Sequence, residues 1–181
     1  EGIGLGWALA IGACIALISQ VYHLPGDFGD FMLAWTLLAL PVVYALRAIV
    51  PAMLYLVGLL TWAINEQIGS AQPLWFWPLA ALLVPFFRDE ARANPHALRP
   101  VLMLWAAALV ACAAVGVTLE KVMPGLWIVV YAALFGLLYL AGGYWGSEAP
   151  GFWTRPLHSI GSFGVAVLTL MLTFEWPWEN V

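Results

Sequence analysis

Gln20, Tyr22, His23, Asp27 and Asp30 are the residues whose types and spacing best suit chemistry in this chain. They form the first polar break after an apolar opening stretch. An imidazole that exchanges its proton near neutral pH stands beside two carboxylates, an amide and a phenol. Such a set suits ligand binding or proton handling, with His23 as the titrating group. Asn65, Glu66 and Gln67 end the third apolar stretch at the same predicted level, and Glu120 and Lys121 end the fifth. A structural role accounts for the same residues. Pro25-Gly26-Asp27 is a turn signal, Asp30 suits the N-cap of the next helix, and His23 needs one hydrogen bond. The expectation is the structural one, with Gln20, Tyr22 and His23 folded back against Asn65 and Glu66.

Other chemical signatures are missing. The chain has no HExxH, no GxSxG, no GxxxxGK[ST] and no clustered Cys/His set. The expected topology puts His23 outside and His96 and His158 inside, so the three cannot share one metal. No catalytic residue, metal or cofactor is assigned. No Asp, Glu, Lys or Arg lies at the centre of an apolar stretch, where ion-coupled transporters keep an ionisable group.

The elements that must position these residues are membrane helices. Of 181 residues, 64% are hydrophobic and 9% charged. A water-soluble domain cannot hide that much apolar surface, so lipid is the solvent for much of the exterior. The net charge of −4 provides no basic patch for nucleic acid. Cys14 and Cys112 fall in apolar stretches and read as small buried hydrophobes, not as a disulfide framework. The opening stretch lacks an initiator Met and a basic leader. The single polytopic domain, residues 1–181, is therefore expected to be a piece of a longer protein.

A crossing helix needs about 20 mostly apolar residues. That rule predicts an all-α bundle of seven spans: Ile3–Gln20, Phe31–Leu46, Ile49–Ile64, Pro73–Phe87, Pro100–Thr118, Gly125–Gly142 and Leu157–Phe174. The fourth is short and carries Pro78 and Pro85, so a broken or re-entrant helix is the alternative. Seven crossings put Arg47, Arg88, Arg92, Arg99 and Arg155 on one side and only Lys121 on the other. Without the fourth crossing the split becomes four against two. The positive-inside rule favours the more lopsided arrangement, with the N-terminus cytoplasmic and the C-terminus extracytoplasmic. Trp35, Trp62, Trp75, Trp77, Trp127, Trp176 and Trp178 then sit near the outer boundary as anchors, and Trp7, Trp105, Trp145 and Trp153 near the inner one.

Small residues at four-residue spacing mark faces for close helix packing: Gly2 with Gly6, Ala8 with Gly12 and Ala16, Ala132 with Gly136. Pro41 should kink the second helix. Pro51 and Pro100 suit first-turn positions. The polar stretch Arg88–Arg99 reads as a solvated connector.

Two blocks carry a family resemblance. Gln20-Val21-Tyr22-His23-Leu24, Gly26-Asp27, Leu33-Ala34-Trp35 and Leu40-Pro41 form the first. Phe152-Trp153, Arg155-Pro156-Leu157, Gly161 and Leu172-Thr173-Phe174 before Trp176 form the second. Together they resemble the bacterial predicted membrane proteins known as domain of unknown function 2157. The resemblance touches both ends, so it is expected to extend over the whole chain. It implies a multi-pass protein of the bacterial inner membrane, missing sequence upstream, and neighbouring envelope proteins as partners besides the lipid bilayer. It brings no activity and no catalytic residues. Three functions stay open: a structural or assembly module of an envelope complex, a transporter or flippase for a small or lipidic substrate, and a membrane enzyme with an outer-face polar site. An enzyme is the least expected of these.

Overall fold

The computed structural model describes residues 1–23, 26–69, 73–93, 97–122, 125–145 and 151–174, with only the backbone of Glu120, Lys121 and Trp145. Every regular element among the described residues is a helix, without strands. The chain packs as two compact units, Glu1–Ala93 and Asn94–Val181. Among the described residues, five helices are long and apolar enough to cross a membrane.

Three of these build the first unit: α1 (Gly2–Tyr22), α2 (Phe28–Leu46) and α3 (Ile49–Ile68). Sequence reading placed their cores correctly and their ends short, by three residues at the start of α2 and four at the end of α3. The buried stripe of α1 is Gly4, Ala8 and Gly12. Gly2 and Gly6 face open space, so that predicted packing face is not used here. Gly4 lies against Ala48 and Pro51, and Gly12 against the Trp35 indole. Gly58 of α3 receives the Thr36 side chain of α2. Without such gaps, van der Waals contact between apolar helices in lipid would be poor. Pro51 sits in the first turn of α3, as its missing N–H requires, and α2 runs on through Pro41. The N-terminus of α3 has no side-chain cap of its own. Glu1 supplies one: its carboxylate accepts from the Ile49 and Val50 N–H groups at 2.9 and 3.2 Å. A negative group also suits the positive end of the helix dipole.

The Pro73–Phe87 stretch is not one helix. It forms a 3-10 turn (Pro73–Trp75), α4 (Phe76–Ala81) and, after a break at residues 82–83, α5 (Val84–Ala93). Pro85 explains the break. It has no N–H for the Ala81 carbonyl, and its ring crowds the preceding turn. Leu82 and Leu83 instead bond back to Leu79 and Ala80 in 3-10 fashion, both at 3.1 Å. α5 occupies much of the stretch read as a solvated connector, Arg88–Arg99; residues 94–96, with His96, lie outside the described residues.

The second unit holds α6 (Leu98–Val122), α7 (Trp127–Trp145) and α8 (Pro156–Met171). Pro100 again falls in a first turn. α8 is apolar but has 16 residues, below the length of the five crossing candidates. The α7–α8 contact is a backbone contact. Gly142 meets the His158 backbone, and a methyl on Gly161 would lie 2.5 Å from the Tyr139 nitrogen and 2.8 Å from the Phe135 oxygen. The predicted Ala132/Gly136 face of α7 is not the one that packs, since Gly136 has no neighbour within 4 Å. The cysteines also depart from expectation: Cys14 is exposed and Cys112 half-buried.

These two glycines give an opposed pair. Gly161→Ala should destabilise the protein by about 1–3 kcal/mol, because backbone cannot move aside as a side chain can. Gly136→Ala should be neutral or stabilise by up to about 1 kcal/mol, because alanine is the better helix former. Thermal or denaturant unfolding in one detergent checks both; equal effects would mean that α7 and α8 do not cross at Gly161.

Candidate functional site

The predicted polar cluster lies at the α1–α2 turn and the end of α3. α1 closes on His23 in the left-handed conformation (φ 50°), whose N–H bonds to the Ser19 carbonyl. The chain re-enters helix at Asp27, which is extended (φ −95°). Asp27 Oδ1 accepts the Asp30 N–H at 2.8 Å. Asp27 is therefore the N-cap of α2, and Asp30, expected in that role, is the first-turn residue that it caps. Leu24 and Pro25, central to the predicted turn, lie outside the described residues.

Gly29 is the point of convergence. It is buried, and a methyl there would lie 2.6 Å from Asn65 Nδ2 and 3.2 Å from both Asp27 Oδ1 and Glu66 Oε1. The structure thus brings Asp27, Asn65 and Glu66 together over the first turn of α2. Gln20, Tyr22 and His23 do not join them: all three are exposed, Tyr22 by 72%. The expectation that they fold against the end of α3 is not met, because a glycine, with no side chain, allows the closer approach. Asp30 is exposed as well. The side chains of Glu120 and Lys121 lie outside the described residues.

This arrangement gathers acidic groups at the positive end of the α2 dipole, where they are favoured. Asn65 serves twice, since its carbonyl also accepts the Gly69 N–H at 3.1 Å to close α3. Among the described residues, no three His, Cys, Asp or Glu side chains form a metal-binding group.

A second set of polar contacts escaped the sequence reading. In each, an aromatic N–H or O–H from one element donates to a backbone carbonyl of another. The Trp35 indole of α2 reaches the Ala8 carbonyl of α1 at 2.7 Å. Expected as an outer-boundary anchor, Trp35 instead bonds at a point away from both helix ends. Tyr131 of α7 reaches the Cys112 carbonyl of α6 at 3.0 Å. Tyr55 of α3 donates to Leu79 at 2.9 Å, and Tyr44 of α2 donates to Leu82, both beside the proline break. Trp105 of α6 donates to Trp153 at 3.1 Å.

Two of these contacts share a device. Gly12 lies four residues after Ala8, and Gly116 four residues after Cys112. A helical carbonyl points at the residue four positions on. A methyl at Gly12 would lie 2.9 Å from the Trp35 Nε1, and one at Gly116 would lie 2.6 Å from the Tyr131 hydroxyl. Glycine opens the carbonyl to a second donor. The sequence signal is a glycine inside an apolar helix, but the partner is visible only once the helices are paired.

In the second unit, Trp105, Phe152 and Trp153 pack with ring centroids 5.7–5.8 Å apart. The Ser159 hydroxyl donates to the Phe152 carbonyl at 2.8 Å, which ties this turn to α8. His158 lies against Tyr139, ring centroids 4.4 Å apart. Of the Trp75-Phe76-Trp77 cluster, Phe76 is buried and both tryptophans are exposed.

No curated protein and no solved structure matches the chain. The closing block, Phe152 to Trp176, lies outside the residues that match, so the expected extension over the whole chain is not shown. What matches is α1, α2 and the first turn of α3: residues 1–52 fit the model of a family described as predicted membrane protein, domain of unknown function 2157.

Proposed function

We propose that this chain is a structural or assembly module of a bacterial inner-membrane envelope complex. One observation carries the reading. Among the described residues, no buried side-chain nitrogen or oxygen lacks a hydrogen-bond partner. Thr36 and Thr118 bond to carbonyls of their own helices, and Ser159 to the neighbouring turn. The aromatic donors bond to carbonyls across helix contacts. These polar groups are spent on bonds within and between the helices, whereas a catalytic or transport site keeps some of them aimed at a substrate.

The transporter reading has one observation in its favour, the discontinuous stretch Pro73–Ala93. Broken helices line the binding sites of many transporters, where freed backbone groups meet the substrate. Here two such carbonyls, Leu79 and Leu82, already take tyrosine hydroxyls. That favours a break sealed for packing.

The reading includes seven crossings with a cytoplasmic N-terminus. Contacts inside the first unit support the fourth crossing. Leu79 meets Tyr55, well inside α3, while Leu82 meets Tyr44, near the end of α2. The stretch therefore advances toward the α2–α3 connection, away from the end that holds Asp27 and Glu66. Arg47, Arg88 and Arg92 then share the end of Glu1, and the positive-inside rule assigns that end to the cytoplasm.

Single cysteines at Asp30 and Ala93, both exposed, in a chain lacking Cys14 and Cys112, test this orientation. An impermeant thiol reagent applied to intact cells, with any outer membrane permeabilised, should label position 30 and spare position 93. Labelling of both would remove the fourth crossing, and the reverse pattern would invert the chain.

The assembly role predicts company. Extracted in mild detergent, the chain should migrate as a complex well above its own 19.7 kDa plus micelle. A photo-crosslinking residue in place of the exposed Leu137 should capture one defined membrane protein. Migration alone, with crosslinks only to lipid, would contradict the role.

A further inference from the structure

We propose that α5 holds the headgroup of an ethanolamine phospholipid, with the phosphate between Arg88 and Arg92 and the ammonium on Asp89. The inference rests on the chain lying in a bilayer, and not on the assembly role. Its starting point is the depth of α5. Phe86 packs edge-on against the ring of Tyr44, with centroids 5.9 Å apart, and Tyr44 stands two residues before the end of α2. α3 begins at the same end of the unit, where the Glu1 carboxylate caps it. α5 therefore starts at the edge of the apolar band, and its ten residues continue for about 15 Å of helix.

The two sides of α5 are unlike. Phe86 is buried and Glu90, one turn on, is half-buried, so this row faces the protein. On the other side Val84, Arg88 and Arg92 follow at four-residue spacing, and all three are exposed. Residues so spaced stand one above another on a helix. The row thus passes from an apolar side chain at the edge of the band to two guanidinium groups one turn apart. An acyl chain fits along Val84 and the exposed Leu82, and a phosphate fits between the arginines, whose planar forks match its oxygens. Among the described residues, no ion pair engages Arg88 or Arg92.

Asp89 decides which lipid. It is exposed on the adjoining row. A purely anionic headgroup would meet this carboxylate as a like charge. A primary ammonium beside the phosphate would meet it as a hydrogen-bonded counter-charge. The quaternary ammonium of a choline lipid has no N–H to donate. The order plus, minus, plus along Arg88, Asp89 and Arg92 is therefore complementary to phosphate and amine together.

Native mass spectrometry of the purified chain tests this. The micelles carry equal amounts of phosphatidylethanolamine, phosphatidylcholine and phosphatidylglycerol with identical acyl chains. The ethanolamine lipid should be the dominant adduct. Arg88→Gln with Arg92→Gln should reduce that adduct about tenfold, the loss expected for one charge-assisted hydrogen bond or more. Asp89→Asn should erase the preference for ethanolamine over choline while keeping a bound phospholipid. All three side chains are exposed, so unfolding midpoints should match the parent's, and Asp89→Asn tests the proposal by itself if the double variant does not fold. Equal binding of the three lipids, a preference for phosphatidylglycerol, or an unchanged adduct in the double variant would each overturn the proposal.

Discussion

A backbone carbonyl inside a bilayer has no water to turn to, and that constraint shapes each unit of this protein. Helices satisfy their carbonyls internally, which is why every regular element among the described residues is a helix. Apolar helices gain little by leaving lipid for one another, because the tails are as apolar as leucine. What remains is close packing and the second lone pair of each carbonyl. This chain uses both at the same places. Trp35 at Gly12 and Tyr131 at Gly116 each combine a glycine gap with a donor that enters it. Hydrogen bonds between membrane helices contribute about 0.6 kcal/mol each on average, so the packing that accompanies them carries comparable weight.

The same need explains the break at residues 82–83. Pro85 withdraws a donor where a helix would otherwise continue, and the chain stays intact because Tyr44 and Tyr55 lie alongside. At the two ends of the first unit, charge takes over from packing. Glu1 caps α3 at one end, and Asp27 caps α2 at the other with Glu66 close by. Acidic groups meet helix N-termini at both ends, so the dipoles are complemented wherever a described cap of this kind occurs.

Much of this was legible in the sequence. Apolar length located the five helices that are long and apolar enough to cross, and Pro78 with Pro85 flagged a stretch that is broken. The polar cluster was legible only by level. Asn65, Glu66 and Asp27 share one end of the unit, as expected, but which loop residue meets α3 is decided by Gly29, and composition assigns a glycine no partner. Asp30 is the expected cap for a helix that starts at Phe31; the start at Phe28 moves that role to Asp27. Four-residue spacing found Ala8 and Gly12 but also Gly2, Gly6 and Gly136, which face open space. Spacing identifies a smooth face, and only the neighbouring helix decides whether it is used. The aromatic donors were the least legible, since an indole or phenol in an apolar helix reads equally well as an interfacial anchor or as glue.

The glycine-opened carbonyl can be observed directly, because the chain has two cysteines. Labelling cysteine alone with 13C at the carbonyl marks Cys112, which accepts from Tyr131, and Cys14, on an exposed face of α1. Infrared spectra of the reconstituted protein should resolve two labelled bands, the lower from the doubly bonded Cys112 carbonyl. Tyr131→Phe should move that band up onto the Cys14 band and leave the latter in place. A single band in the parent, or two bands that ignore Tyr131→Phe, would contradict the view that aromatic donors hold these helices through their backbone.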